Sequence, residues 1–137
     1  MKIYNLKLNE LHVLTDDVSK NFINGVVLLQ GDLAAGKTTF VREIAKKLGV
    51  KEDVTSPTFS LQHCYGDRVF HYDIYNHGLE HFISLGMLEE LEKEGLHFIE
   101  WGDDKLLELL KFAGIETLKI EIKKISDDER EYRIEHA

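Results

Sequence analysis

One segment of the sequence has residue types and spacing that suit phosphate chemistry. Gly31, Gly36, Lys37 and Thr38 follow the pattern G-x-x-x-x-G-K-[ST], and we call residues 31–38 the glycine-lysine loop. Glycines let such a loop wind tightly, so that its N–H groups and the positive end of the following helix converge on phosphate oxygens. The lysine then bridges the outer phosphates and the threonine hydroxyl binds Mg²⁺. The segment therefore predicts a site for the phosphates of a nucleotide.

The flanking sequence fits this interpretation. Residues 26–30 are apolar without alternation and β-branched at their start, which is typical of a strand buried on both faces of a parallel sheet. Residues 37–48 place their apolar side chains on one helical face. Alternatively, the two glycines are only turn residues and the lysine is a solvated helix start. A strand before the loop and a helix after it favour the phosphate site.

Two acidic residues are candidates for chemistry beside the phosphates. Glu100 ends the apolar run 96–101, and the carboxyl edge of an open parallel sheet faces its ligand crevice, so Glu100 predicts a carboxylate near the metal ion. The alternative is an exposed acid at the end of a strand. In a second short run, alternation places His71, Asp73 and Tyr75 on one face, where Asp73 is able to polarise a water molecule. The alternative there is a solvated strand face, and His71 alone does not make a metal site.

Two further features near these residues admit more than one interpretation. Thr55, Ser56 and Thr58 surround Pro57 and offer three hydroxyls where many nucleotide switches carry a γ-phosphate sensor. The same residues also suit an ordinary turn. Trp101, next to the acid, is either part of the core or a partly exposed platform for a partner.

The rest of the chain alternates between strand and helix patterns. These patterns first predict a strand over Tyr4–Leu8 and a helix that Asn9 caps and that ends near Gly25. They next predict a hairpin of 58–65 and 68–75 with a two-residue turn at Gly66-Asp67. A helical region 79–94 interrupted at Gly86, a short helix over 104–112 that Asp103 caps, and two half-exposed strands are predicted to follow. Strands that interleave with helices predict an α/β sheet.

Length, charge and cysteine content restrict the class of protein. The 137 residues fit one domain, residues 1–137, with 17 basic and 25 acidic side chains and a net charge of −8. That charge has the wrong sign for a broad face that holds nucleic acid, so we expect any nucleic acid to be reached through a partner. The single cysteine, Cys64, excludes an internal disulfide. No segment predicts a secretory signal or a membrane span, and we expect a cytoplasmic location.

The order of the motifs resembles one protein family. GDLAAGKTT is followed by TSPTF, HYDIY, LGMLEE and IEW over roughly residues 9–102, and this order is similar to that of TsaE (YjeE), the small bacterial ATPases of tRNA threonylcarbamoyladenosine biosynthesis. The resemblance implies a P-loop NTPase-like three-layer sandwich with a central, mostly parallel sheet and an antiparallel hairpin. It also implies ATP and Mg²⁺ as ligands and TsaB and TsaD as partners. In that family TsaD, with TsaB, modifies tRNAs that read codons starting with A, and TsaE hydrolyses ATP to keep the assembly cycling.

The resemblance also implies roles for individual positions. It places Ala34, Ala35, Gly36, Lys37, Thr38 and Thr39 around the phosphates, Thr38 and Glu100 on Mg²⁺, Asp73 beside the hydrolysed bond, Thr55–Thr58 in a switch-like loop, Trp101 as a functionally sensitive neighbour of the acid, Leu8–Glu10 near the adenine, and Arg130 or Arg133 close to the nucleotide. Two positions depart from the family pattern. Ala34 replaces an internal glycine of the loop, and Asn76 replaces an arginine after HxDLY, so the role of that positive charge is in doubt here.

Two other functions use the same loop. A small-molecule kinase also needs an acceptor pocket and an arginine-rich lid, whereas this chain has four arginines and no long insertion. A nucleotide-gated binding module would order a surface when ATP binds, without meaningful turnover. A GTPase is disfavoured, because neither N-K-x-D nor D-x-x-G occurs in the sequence.

Overall fold

The computed structural model describes residues 1–32, 35–54, 62–75 and 78–137. Seven strands form one mixed sheet, and five α-helices lie in the described part of the chain. The strands are β1 (Lys2–Lys7), β2 (Gly25–Gln30), β3 (Gln62–Tyr65), β4 (Val69–Asp73), β5 (Leu96–Glu100), β6 (Thr117–Lys124) and β7 (Glu129–His136). The helices are α1 (Leu11–Asn21), α2 (Lys37–Lys47), α3 (Gly78–Ser84), α4 (Met87–Glu90) and α5 (Asp104–Phe112), and a turn of 3-10 helix, Leu8–Glu10, joins β1 to α1.

The centre of the sheet is parallel. The strand order is β1-β7-β6-β2-β5-β4-β3, in which β6, β2, β5 and β4 run parallel to one another. The outer strands β1, β7 and β3 pair antiparallel with their neighbours. The predicted α/β fold with a parallel centre and an antiparallel hairpin is confirmed. Because the four central strands run the same way, the ends of β2, β4 and β5 meet at one edge of the sheet, where Glu100 pairs in register with Leu29 and Asp73.

Helices cover both faces of the sheet and complete three layers. On one face α1 and α2 pack against β2 and β5, with Phe40 and Phe98 in edge-to-face contact. On the other face α3 and α5 share a second core cluster with β2, β4 and β5, in which Tyr72 of β4 packs against Phe82 of α3. No helix in residues 1–32, 35–54, 62–75 and 78–137 is long and apolar enough to span a membrane.

Two local predictions were wrong. The hairpin turn has three residues rather than two, because Tyr65 pairs with Val69 and the carbonyl of Arg68 instead accepts a hydrogen bond from Leu96 of β5. Asn9 does not cap α1, since it lies within the 3-10 turn and the helix begins one residue after Glu10. The predicted interruption at Gly86 and the cap by Asp103 are confirmed: Gly86 has a φ of +75°, and the Asp103 carboxylate accepts from the N–H of Leu106. The first part of the predicted hairpin, residues 58–61, lies outside the described residues.

A hydrogen-bonded chain of polar groups is buried under α3. Tyr72 Oη and His97 Nδ1 are 2.8 Å apart, and His97 Nε2 is 2.8 Å from the carbonyl oxygen of Lys93. Because a carbonyl only accepts, Nε2 carries the ring proton and Nδ1 accepts from the tyrosine hydroxyl. Burial lowers the pKa of His97 below its usual range and raises the pKa of Tyr72.

We expect His97 to make the fold acid-sensitive. An unfolded histidine binds a proton near pH 6.5, whereas buried His97 resists it, so the free energy of unfolding falls as the pH drops below about 6.5. His97→Gln removes this contribution. Urea unfolding at about pH 7.5 and about pH 5.5 is expected to show a smaller gap in stability between wild type and variant at the lower pH. His12→Gln, at an exposed position, is the matched control, and a gap for His97→Gln that stays constant or widens contradicts the prediction.

Candidate functional site

The glycine-lysine loop lies between the end of β2 and the start of α2, as predicted. Gly36 precedes the helix with a φ of +110°, and no side chain of the described residues is seen to cap the helix amino terminus. The first N–H groups of an uncapped helix are free to bind an anion, and the helix dipole favours negative charge there. Thr39 is half-buried in the first turn of α2. Ala34 lies outside the described residues, so its predicted contact with phosphate stays a prediction.

The first glycine of the loop is required by its surroundings. Gly31 has a φ of +154°, and a Cβ atom there would lie 2.6 Å from the carbonyl oxygen of Ile122 on β6. A backbone atom cannot move aside as the end of a side chain can. Glycine at this position therefore lets β2 pass directly into the loop beside β6.

Lys37 is buried at the mouth of the loop. Its ammonium donates hydrogen bonds to the carbonyl oxygens of Gly31 at 2.6 Å and Asp32 at 2.9 Å, and it lies 3.7 Å from the ring centre of Trp101. Burial lowers the pKa of Lys37, and the negative charges of Glu100, Asp73 and Asp32 oppose this shift. The ammonium is thus held by carbonyl oxygens and an aromatic face, ligands that a phosphate group can replace.

Glu100 is buried against α2. Glu100 is 3% exposed, and the hydroxyl of Thr38 lies 2.9 Å from each oxygen of the Glu100 carboxylate. On the other side, His71 Nε2 is 2.5 Å from Glu100 Oε2. The alternative of an exposed acid at a strand end is therefore wrong, and so is that of a solvated strand face for His71, which is fully buried.

Asp73 lies beside this cluster. It ends β4 directly opposite Glu100, is half-buried, and accepts a hydrogen bond from the N–H of Tyr75 at 2.9 Å. The negative charge of its carboxylate is close enough to Lys37 to oppose the lowering of the lysine pKa by burial. The structure therefore brings Lys37, Thr38, Asp73 and Glu100 together at one edge of the sheet.

Trp101 has a strained backbone at the same edge. Its φ is +67°, the one positive value for a residue other than glycine among those the structure describes. A bulky side chain in this region costs about 1–2 kcal/mol. The half-buried indole lies 4.6 Å from the ring centre of Tyr75, which is 53% exposed. Trp101 is therefore partly exposed beside Lys37 and also packs against the core cluster around Leu28 and Ile99, so its role as a platform for a partner stays a prediction.

The remaining predicted residues lie around the loop or outside the described part. Arg130 Nε donates to the carbonyl of Ala35 at 3.1 Å, which places β7 against the loop. Glu10 Oε1 accepts from the N–H of Lys7 at 2.8 Å at the end of β1. Arg133 pairs with Glu131 on β7. The predicted switch residues Thr55, Ser56 and Thr58, and Asn76, lie outside the described residues.

An open groove continues from the loop along the sheet edge. It measures about 820 Å³ and runs from Gly31 and Ala35 past Trp101 to Lys123 and Lys124 at the end of β6. Neither Glu10 nor Arg130 is among the described residues that line it. The predicted contact of Glu10 with adenine stays a prediction.

The donor set suits magnesium. The Thr38 hydroxyl and the Glu100 carboxylate supply hard oxygen ligands on one side of the loop. Within the described residues, no group of three or more histidine, cysteine, aspartate or glutamate side chains is arranged to hold a metal ion. Mg²⁺ needs no such cage, because it commonly binds one or two protein ligands together with substrate phosphates and water. The residues present therefore fit Mg²⁺ brought in with a nucleotide.

The contact between His71 and Glu100 was not predicted from the sequence. A usable signal was present, since strand alternation places His71 on the face of Asp73 and parallel pairing places Glu100 on that same face. What the sequence lacked was the adjacency of β4 and β5.

Comparison with known proteins agrees with the motif order. The family model for "Threonylcarbamoyl adenosine biosynthesis protein TsaE" matches residues 7–132. The tRNA threonylcarbamoyladenosine biosynthesis protein TsaE of Treponema pallidum (strain Nichols) is 40% identical over 112 residues, which cover 80% of each chain. The protein of that name from Bacillus subtilis (strain 168) is 40% identical over 109 residues, or 77% of this chain and 66% of that protein.

The fold comparison points the same way. A crystal structure of YdiB from Bacillus subtilis superposes with a TM-score of 0.66 and 29% identity, covering 96% of this chain and 85% of that one. Together with the match over residues 7–132, this leads to one conclusion. The chain belongs to the TsaE family, whose members take part in tRNA threonylcarbamoyladenosine biosynthesis.

Proposed function

We propose that this protein is the ATP-binding and ATP-hydrolysing component of the tRNA threonylcarbamoyladenosine machinery. It acts with TsaB and TsaD on tRNAs that read codons starting with A. The observation that carries the proposal is the 2.9 Å contact of the Thr38 hydroxyl with both oxygens of the Glu100 carboxylate, at the uncapped start of α2. A hydroxyl and a carboxylate converging beside a phosphate-binding loop are the protein ligands that a Mg²⁺-nucleotide site requires.

The phosphates are held by the start of α2 and by Lys37. The N–H groups of Lys37 and Thr38 point out of the helix amino terminus, where the dipole favours an anion. The Lys37 ammonium leaves the carbonyls of Gly31 and Asp32 for the outer phosphates, which it reaches from a pre-formed position at the loop mouth. Binding therefore exchanges neutral acceptors of this ammonium for charged ones.

The metal site and the water site lie on the carboxyl side of the loop. Thr38 and Glu100 would hold Mg²⁺, which, when bound, would supply positive charge to offset the negative charge on the phosphates. Asp73, at the end of the neighbouring strand, orients the attacking water and accepts a hydrogen bond from it. These roles divide binding, which needs Lys37, from turnover, which needs the two carboxylates.

Hydrolysis by the isolated chain is expected to be slow. Among the contacts of the described residues, Arg130 is the arginine that touches the loop, and its guanidinium is already bound to the carbonyl oxygens of Ala35, Ser126 and Glu129. P-loop enzymes that lack a free arginine at the γ-phosphate gain much of their rate from a partner that supplies one. The net charge of −8 fits a subunit that reaches tRNA through such a partner.

The bound state of Arg130 also favours a second candidate function, that of a nucleotide-gated binding module. With no free arginine at the loop in the described part of the chain, ATP binding alone could present a surface to the partners without significant turnover. Single-turnover release of phosphate, measured with and without TsaB and TsaD, separates the two. Acceleration by the partners supports the ATPase. Unchanged release together with ATP-strengthened association supports the nucleotide-gated binding module and contradicts the ATPase.

Trp101 is expected to report nucleotide binding. It is the only tryptophan of the chain, and Lys37 Nζ lies 3.7 Å from its ring centre. Movement of this ammonium to the phosphates changes the electrostatic environment of the indole, so titration with ADP and Mg²⁺ is expected to give a saturable change in tryptophan fluorescence. Lys37→Met, titrated identically, is expected to give none. Unchanged wild-type fluorescence while calorimetry records binding contradicts the placement of Lys37 on the phosphates.

A further inference from the structure

His71 makes a buried contact that the proposed reaction does not yet use. The residue is fully buried on β4, and its Nε2 atom lies 2.5 Å from Glu100 Oε2. Its other ring nitrogen, Nδ1, is buried and has no hydrogen-bond partner within the part of the chain that the structure describes. The histidine is thus bonded on one side only, and that side faces the carboxylate predicted to bind the metal ion.

The unpartnered nitrogen shows where the ring proton lies. A carboxylate accepts hydrogen bonds, so the nitrogen that faces Glu100 is the one that donates. If Nδ1 carried a proton, it would be a buried donor without an acceptor. That costs more free energy than an unprotonated Nδ1 that accepts no hydrogen bond. The geometry therefore places the proton of this contact on Nε2 of His71.

The carboxylate of Glu100 needs this support. The terminal torsion of a glutamate side chain is broad, so a carboxylate on its own turns freely about that bond. Both carboxylate oxygens lie 2.9 Å from the Thr38 hydroxyl oxygen. Thr38 has only one hydroxyl proton, however, so it cannot hold both of them in place. His71 is the second donor. It lies on β4, where it pairs in register with Phe98 of β5, two residues before Glu100.

We propose that His71 is a positioning residue for the metal-binding carboxylate. By donating from Nε2 to Oε2, His71 stops the rotation of the Glu100 carboxylate and leaves Oε1, the oxygen that His71 does not contact, for Mg²⁺. This inference rests on the proposed nucleotide and metal site. Groups that orient a metal ligand in this way typically contribute about 10- to 100-fold to metal affinity or activity.

Three variants separate positioning from a merely structural role. His71→Gln keeps an N–H donor close to the place of Nε2, His71→Asn is polar but too short to reach Oε2, and His71→Leu has no donor. Mn²⁺ binding in the presence of ADP, followed by electron paramagnetic resonance, is the readout that does not depend on turnover. We expect His71→Asn and His71→Leu to weaken Mn²⁺ binding by about 10- to 100-fold. His71→Gln is expected to lie nearer to the wild type.

Kinetics give a second readout. A positioning defect raises the Mg²⁺ concentration for half-maximal hydrolysis in His71→Asn, whereas the KM for ATP at saturating Mg²⁺ stays within about threefold of wild type. Thermal unfolding of each variant without ligand shows whether the fold is retained. Equal Mn²⁺ affinity in wild type and His71→Asn overturns the inference, and so does a loss in His71→Gln as large as that in His71→Asn.

The wild-type protein provides a test that no folding defect can obscure. Nitrogen-15 NMR of the histidine rings, with His71 assigned through its backbone, is expected to show a proton on Nε2 of His71. The opposite neutral tautomer overturns the inference.

If wild type binds no Mn²⁺ with ADP, the proposed nucleotide site and the role of His71 fall together. If wild type binds and the His71 variants bind equally well, the role of His71 alone falls.

Discussion

Glu100→Ala is expected to abolish ATP turnover while it spares much of the nucleotide binding. Glu100 is buried and directed at the Thr38 hydroxyl, and in the proposed mechanism its charge would act on the metal ion as negative charge develops on the phosphates. Loss of one such pre-organised group typically lowers kcat by roughly 10²–10³-fold. Single-turnover phosphate release in the presence of the partner proteins measures this loss, and calorimetric titration with ADP measures the binding that remains.

A matched variant separates charge from packing. Glu100→Ala leaves the ring N–H of His71 buried without its acceptor, which also lowers stability. Glu100→Gln keeps the shape of the side chain and an oxygen that can accept from His71. We expect Glu100→Gln to melt close to wild type and to lose turnover as Glu100→Ala does. Turnover by Glu100→Gln at the wild-type rate contradicts the assignment of this carboxylate to the metal ion.

Lys37→Ala is expected to remove most of the affinity for nucleotide. In the proposed mechanism the Lys37 ammonium contacts phosphate both before and during transfer, so its loss should affect ground-state binding as well as the rate. A hydrogen bond between charged groups contributes about 1.5–3 kcal/mol, which corresponds to roughly 10- to 150-fold in Kd. Isothermal titration with ATP and Mg²⁺ measures the change.

The control for Lys37→Ala is a variant of similar volume. Lys37→Met keeps a buried side chain of similar length and removes the ammonium, together with its hydrogen bonds to the Gly31 and Asp32 carbonyls. The burial of that charge is already unfavourable enough to lower the lysine pKa. We therefore expect Lys37→Met to fold as stably as wild type and to bind nucleotide as poorly as Lys37→Ala. Tight ATP binding by Lys37→Met shows that the phosphates lie elsewhere.

The position of the glycine-lysine loop in the fold could be predicted because its signals are local. The glycines at 31 and 36, the lysine and the threonine are fixed by spacing along the chain, and the flanking strand and helix follow from hydrophobic periodicity. Glu100 followed from a rule of similar simplicity, since the last residue of a buried parallel strand lies at the ligand edge of the sheet. The structure agrees with each of these placements.

The parts that escaped prediction depend on which strands are neighbours. β7 inserts between β1 and β6, which brings Arg130 against the loop from almost the other end of the chain. The bond from His71 to Glu100 needs β4 beside β5, and no periodicity within either strand contains that information. The three-residue hairpin turn was missed for a related reason, because the Arg68 carbonyl that ends the turn is bound by Leu96 of β5. Local patterns defined the elements, whereas long-range pairing assembled the rest of the site.

Amide chemical-shift mapping with a non-hydrolysable ATP analogue and Mg²⁺ shows directly where the nucleotide binds. The largest shifts are expected at the N–H groups of Ala35, Gly36, Lys37 and Thr38 and at Glu100, because we propose that the phosphates bind at the start of α2 and the metal ion at the end of β5. Small shifts at these amides, with the largest changes at a distant surface, would show that the nucleotide binds elsewhere.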